Sequence, residues 1–169
     1  MAQNWNGWVN RDPVNLPNTP ILRVCRWALF FVLAAGSSAM AESLGRWATL
    51  EAIHKLENPR NLSRPGRHGE LGAYQFMPGT WRMHTQVPFS RAIDRSVSDV
   101  VAVKHYEWIK RNLEAAGFQA TSYNIALAWN SGINAVIRGR SPQVSHDYAQ
   151  RAVNLAASFP GTRTLADAR

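Results

Sequence analysis

Ser43-Leu-Gly-Arg-Trp47-Ala-Thr-Leu50-Glu-Ala-Ile53-His-Lys-Leu56-Glu57-Asn58-Pro59 is the stretch on which the fold reading turns. Its apolar residues Leu44, Trp47, Leu50, Ile53 and Leu56 recur every third position, which places them on one helical stripe. Asn58-Pro59 stops that helix, because proline disfavours helical backbone in the residue before it. The spacing therefore predicts a helix over 43–57 that ends on a carboxylate, Glu57.

Downstream, residues 58–72 hold Pro59, Pro65, Gly66, Gly69 and Gly72 and read as a loop. Pro78 suits the first turn of a short helix. Ser96-x-x-Asp99 resembles a capping box. Behind it Ala102, Tyr106, Ile109, Leu113 and Ala116 form a stripe that Gly117 closes. Thr121 or Ser122 caps a helix through Trp129. Ser145 caps a last helix with Tyr148, Ala152, Leu155 and Phe159 on its buried side, and Pro160-Gly161 stops it. No stretch alternates convincingly as a strand. The expectation is a compact, mainly α domain over 42–169, of five to seven helices, with little or no β-sheet.

Upstream, residues 1–20 are rich in Asn and Pro, show no apolar period and read as a disordered N-terminus. Arg23 and Arg26 precede the apolar run that starts at Trp27, and Ala39-Met40-Ala41 follows it. A basic segment, a short apolar segment and an Ala-x-Ala site read as a secretory signal cleaved after Ala41. The chain is then exported, to the periplasm or beyond the cell. Left uncleaved, the segment is a membrane anchor, although Trp27–Met40 is shorter than the ~20 residues that cross a bilayer. Sixteen Arg and three Lys against eleven acids leave a net charge of +8, which suits an anionic partner such as an envelope polymer. One cysteine excludes an internal disulfide framework. The basic residues are spread out, and export argues against nucleic acid. No Gly-rich phosphate loop leads into Lys-Ser/Thr, so nucleotide use is not expected. Glu51-x-x-His54 is half of a di-iron pattern without its second half, and the other histidines lack ligand spacing. No metal or cofactor is expected.

A carboxylate closing an apolar helix can be half buried, which raises its pKa, as a general acid requires at neutral pH. Alone, Glu57 is also compatible with a solvated helix end. The residues that follow sharpen the reading. Gly72-Ala-Tyr74-Gln75-Phe-Met77-Pro78-Gly79-Thr80 lies 15 to 23 positions after Glu57. Ala128-Trp129-Asn130-Ser131-Gly132 comes next, then Asp147-Tyr148-Ala-Gln-Arg151. In this order and spacing the motifs, covering roughly residues 50–155, resemble the soluble lytic transglycosylases of the lysozyme-like superfamily. That family has Glu followed by Ser, then Gly-Leu-Met-Gln-x-Met-Pro-x-Thr, Ala-Tyr-Asn-x-Gly and a C-terminal Tyr.

The resemblance implies a lysozyme-like helical fold. It also implies cleavage of the β-1,4 bond between N-acetylmuramic acid and N-acetylglucosamine in peptidoglycan strands, leaving a 1,6-anhydro product. It assigns Glu57 as acid and base, with Tyr148 facing it. Gly72, Gln75 and Asn130 fall to sugar positioning, and Tyr74, Met77 and Trp129 to lining the groove. For Met77 and Trp129 the residues themselves leave an ordinary core role open. An envelope or secretion-system assembly is a further expected partner. Three departures stand out. Asn58 replaces Ser and is expected to bond the catalytic carboxylate through its amide. Ala73-Tyr74 replaces Leu-Met, and Trp129 replaces Tyr. Glu70 leaves two alternatives open: a second carboxylate holding water, making the chain a hydrolytic muramidase, or a surface group paired with Arg64 or Arg67. A non-catalytic wall-binding module is the remaining alternative.

Overall fold

The computed structural model describes residues 42–160. The disordered N-terminus and the export signal read in residues 1–41 lie outside them. Helix α1 runs through residues 42–57. It is followed by α2 (Pro78–His84), a 3-10 turn (Phe89–Ile93), α3 (Arg95–Ala115), α4 (Ser122–Ser131), α5 (Ile133–Ile137) and α6 (Gln143–Ser158). The only β pairing among the described residues is one antiparallel bridge, Leu71 with Phe76. The mainly helical expectation is met. No helix among the described residues is long and apolar enough to cross a membrane.

Helix α1 ends on Glu57, as Pro59 requires, but its buried face differs from the expected stripe. Leu50 and Ile53 are buried, whereas Leu44 and Trp47 are 36% and 49% exposed. Residues three apart on a helix turn back by about 60° per step, so five of them spread around the cylinder. The face that enters the core carries Ala48, Thr49, Ala52, Ile53 and His54. Arg46 of α1 pairs with Glu107 of α3 at 2.7 Å, and Thr49 bonds Ser122 of α4 at 2.8 Å. Trp81, Ile109, Leu113 and Ile125 complete the core around Ile53.

Two caps are corrected. Helix α3 starts at Arg95, and its cap is Asp94, whose carboxylate accepts from the Ser96 N–H at 3.1 Å. Ser96 therefore lies inside the first turn and makes no capping box with Asp99. Helix α6 starts at Gln143 behind Pro142, so Ser145 is inside it and buried. Thr121 does cap α4, accepting from Asn124 N–H at 3.2 Å. At the end of α3 the buried stripe stops at Leu113, and Ala116 is exposed. Gly117, at φ 81°, turns the chain so that the Phe118 N–H reaches the Leu113 carbonyl at 2.9 Å. Helix α4 packs extensively on α6. This pairing brings the Trp129-Asn130 end of α4 against the first half of α6.

Candidate active site

Glu57 and Tyr148 meet although 91 positions separate them. The Tyr148 hydroxyl donates to Glu57 Oε1 at 2.7 Å. Burial raises the Glu57 pKa above its ordinary 4.5; the Tyr148 bond opposes this, and the charge of Glu70 adds to it. The result is a carboxyl that holds its proton to higher pH than a solvated one. Burial and the Glu57 charge push the Tyr148 hydroxyl up, so it stays a donor.

Asn58 does not serve the carboxylate as expected. It is buried, and its amide donates to the Leu62 carbonyl at 2.9 Å and the Gly72 carbonyl at 3.1 Å. Its Oδ1 accepts from the Leu62 N–H at 2.9 Å. Both amide hydrogens are therefore committed to main chain. Asn58 clamps the loop that leaves Glu57 onto the turn that carries Gln75. Asn58→Ser is expected to lower stability by about 2 kcal/mol, because a shorter hydroxyl cannot make all three bonds. Urea unfolding checks this, and an unchanged midpoint would remove the clamp role.

The turn over residues 72–75 is closed by the Leu71–Phe76 bridge. Gly72 is buried at φ 83°, and a Cβ there would lie 1.8 Å from the Ala92 carbonyl oxygen. It is a packing point, not a surface offered to a sugar. Its carbonyl accepts from the side chains of both Asn58 and Gln75. Gln75 adopts φ 46°, strained for a non-glycine residue, and its amide nitrogen bonds the Gly72 carbonyl at 2.8 Å. That bond leaves Oε1 of the half-buried Gln75 available as an acceptor.

Tyr74 is corrected from groove to core. It is 3% exposed, its ring contacts Phe76 and Trp129, and its hydroxyl donates to Asp99 at 2.7 Å. Arg95 lies over the ring and also bonds Asp99 and Glu51. This ion cluster contains His54, whose Nδ1 lies 2.7 Å from Arg95 Nη1. Burial opposes the Glu51 charge, but bonds from Arg95 and His54 outweigh it and hold its carboxyl below the ordinary value. The cluster absorbs Glu51-x-x-His54 as a structural tie between α1 and α3.

Met77 is 44% exposed at the start of α2 and free to line a groove. Trp129 is half-buried, with one side against Phe76 and His105. Asn130 is exposed, but its Oδ1 accepts from the buried Ser145 hydroxyl at 2.7 Å. The Asn130 amide hydrogens are therefore presented outward. Ser145 and Tyr148 sit three apart on α6, so one helix face orients both Asn130 and Glu57. Nothing in the sequence distinguishes this serine from a cap.

Glu70 forms no ion pair with Arg64 or Arg67. Its carboxylate accepts from the His68 N–H at 2.7 Å and its side chain packs on Gly66. Among the described residues, no three His, Cys, Asp or Glu side chains gather at one point. Comparisons with protein-family models, with curated proteins and with solved structures found no match to this chain.

Proposed function

We propose that the chain is a peptidoglycan lytic transglycosylase with a lysozyme-like fold, acting outside the cytoplasm on glycan strands. The observation that carries the reading is the pairing of a half-buried, proton-retaining Glu57 with the Tyr148 hydroxyl. Glu57 donates its proton to the glycosidic oxygen between N-acetylmuramic acid and N-acetylglucosamine. The bond breaks through an oxocarbenium-like state, and the N-acetylglucosamine side leaves with the proton. Glu57, now a carboxylate bonded by Tyr148, takes the proton of the muramoyl 6-hydroxyl as that oxygen attacks C1. The cycle ends with a 1,6-anhydro ring and Glu57 protonated again. No second carboxylate and no cofactor is needed. Gln75 offers an acceptor, and Asn130 a donor held by Ser145, to orient the sugars.

Glu70 supports a second reading. Its charge bears on Glu57, and a carboxylate so placed could hold a water and make the reaction hydrolytic. Mass spectrometry of peptidoglycan digested with the purified chain separates the two. Anhydro-muropeptides support the transglycosylase; reducing ends alone make it a muramidase; no soluble product from a folded, wall-binding chain makes it a binding module. Ser145→Ala frees the Asn130 amide to rotate and is expected to slow cleavage about fivefold, for the loss of one oriented hydrogen bond. A parental rate would remove the positioning role.

A further inference from the structure

Arg60, Arg64 and Arg67 stand in the loop between α1 and the Leu71–Phe76 bridge, and none of them is ion-paired with a carboxylate among the described residues. Elsewhere arginines are matched: Arg46 with Glu107, Arg91 with Asp94, and Arg95 with Glu51 and Asp99. The one acid of the loop, Glu70, is spent on the loop itself. Its carboxylate accepts from the His68 N–H at 2.7 Å, and its carbonyl from the Gly66 N–H at 2.8 Å.

The loop backbone is fixed. Asn58 holds both main-chain groups of Leu62, each at 2.9 Å. Asn61 turns the chain at φ 49°, and its Oδ1 lies 3.0 Å from Nε2 of the buried His54. Tied at its backbone, Leu62 still leaves its side chain 37% exposed. Arg60, Leu62, Ser63 and Arg64 line a cavity of about 320 Å³, and the Ser63 hydroxyl bonds no described residue.

Guanidinium forks pair with phosphate oxygens, and a hydroxyl adds one more donor. Two cations that line one cavity without a carboxylate repel each other, and an entering anion removes that repulsion. Leu62 gives nothing to a hydrophilic anion. An anionic bilayer offers a phosphate to the arginines and a hydrocarbon edge to the leucine.

We propose that the loop over residues 59–68 docks on an anionic phospholipid surface. A lipid phosphate sits between Arg60 and Arg64, Ser63 donates to it, and Leu62 enters the boundary between headgroups and acyl chains. The contact uses none of the side chains given to cleavage, and it stands whether or not the chain cuts peptidoglycan.

The probe is vesicles of phosphatidylglycerol with phosphatidylcholine, set against phosphatidylcholine alone and mixed with the full chain. Hydrogen exchange reads the loop itself, and co-sedimentation reads affinity. Exchange of the amides over 59–68 is expected to slow on the anionic vesicles alone. Arg60→Ala combined with Arg64→Ala is expected to abolish that protection and to weaken sedimentation about 30-fold, the worth of two basic residues at such a surface. Leu62→Ala is expected to weaken it about fourfold, for roughly one buried methylene. These side chains bond nothing else and Asn58 holds only the Leu62 backbone, so the variants are expected to melt with the parent. Arg138→Ala combined with Arg140→Ala removes the same charge at another exposed site and is expected to leave the loop protected. Loop exchange that does not respond to anionic vesicles overturns the proposal, as do parental protection and affinity in the loop variants. An equal loss in the Arg138 and Arg140 pair makes the binding one of diffuse charge and overturns it too. Release by excess inorganic phosphate at matched ionic strength assigns the cavity to a small anion, against the membrane contact.

Discussion

Glu57→Gln is expected to lower peptidoglycan cleavage by about 1,000-fold, the typical scale for removing a general acid. Glutamine keeps the shape and an oxygen for the Tyr148 hydroxyl, so strand binding should stay near the parental value. A variant that cleaves at the parental rate would show that Glu57 is not the acid. The same substitution tests the electrostatics through stability. Burial first, and Glu70 as well, raise the Glu57 pKa above 4.5. The folded protein then binds this proton more tightly than the unfolded chain does. That contribution to stability is full below about 4.5 and is lost as pH rises through the folded value. Glutamine has no charge to desolvate. Glu57→Gln should therefore melt above the parent at pH 7, with the gap closing towards pH 4.5. Cleavage by the parent should fall as pH rises through the folded value, because the first step needs the protonated acid. A gap that is constant with pH would mean that Glu57 is not perturbed.

Gly72→Ala is expected to cost about 3 kcal/mol or more and to lower Tm by about 10 °C. The added Cβ would lie 1.8 Å from the Ala92 carbonyl oxygen, which already accepts from the buried Ser98 hydroxyl at 2.9 Å. The backbone at φ 83° is also strained for any residue with a side chain. Relief requires moving the turn that holds Gln75, so activity should fall together with stability. Thermal melting of the variant checks this, and a Tm within two degrees of the parent, roughly the reach of a surface change, would contradict the close packing.

Some of this architecture was legible residue by residue. Helix α1 stops on Glu57 because Pro59 acts on its immediate neighbours, and Thr121 caps α4 through a bond only three residues long. Such signals are local, so reading along the chain finds them. The errors share a different cause. Ser145 looks like a cap, because a hydroxyl near a helix start is the same in sequence whether it bonds its own backbone or Asn130 on another helix. Tyr74 looks like a groove residue, because an aromatic ring suits a sugar and a core equally. Asn58 looks able to reach Glu57, and only the fold brings Gly72 close enough to claim its amide.

The sequence by itself determined that α1 stops on Glu57, that Gly117 closes α3 and that Thr121 caps α4, because termination and capping there depend on a few adjacent residues. It also determined the motif order on which the transglycosylase proposal rests. The tertiary structure alone decided that burial raises the Glu57 pKa, that Glu70 bears on it, and that Asn58 is committed to main chain and not to Glu57. Burial and pairing are set by elements far apart in the chain, and a pKa is set by what surrounds the group in space.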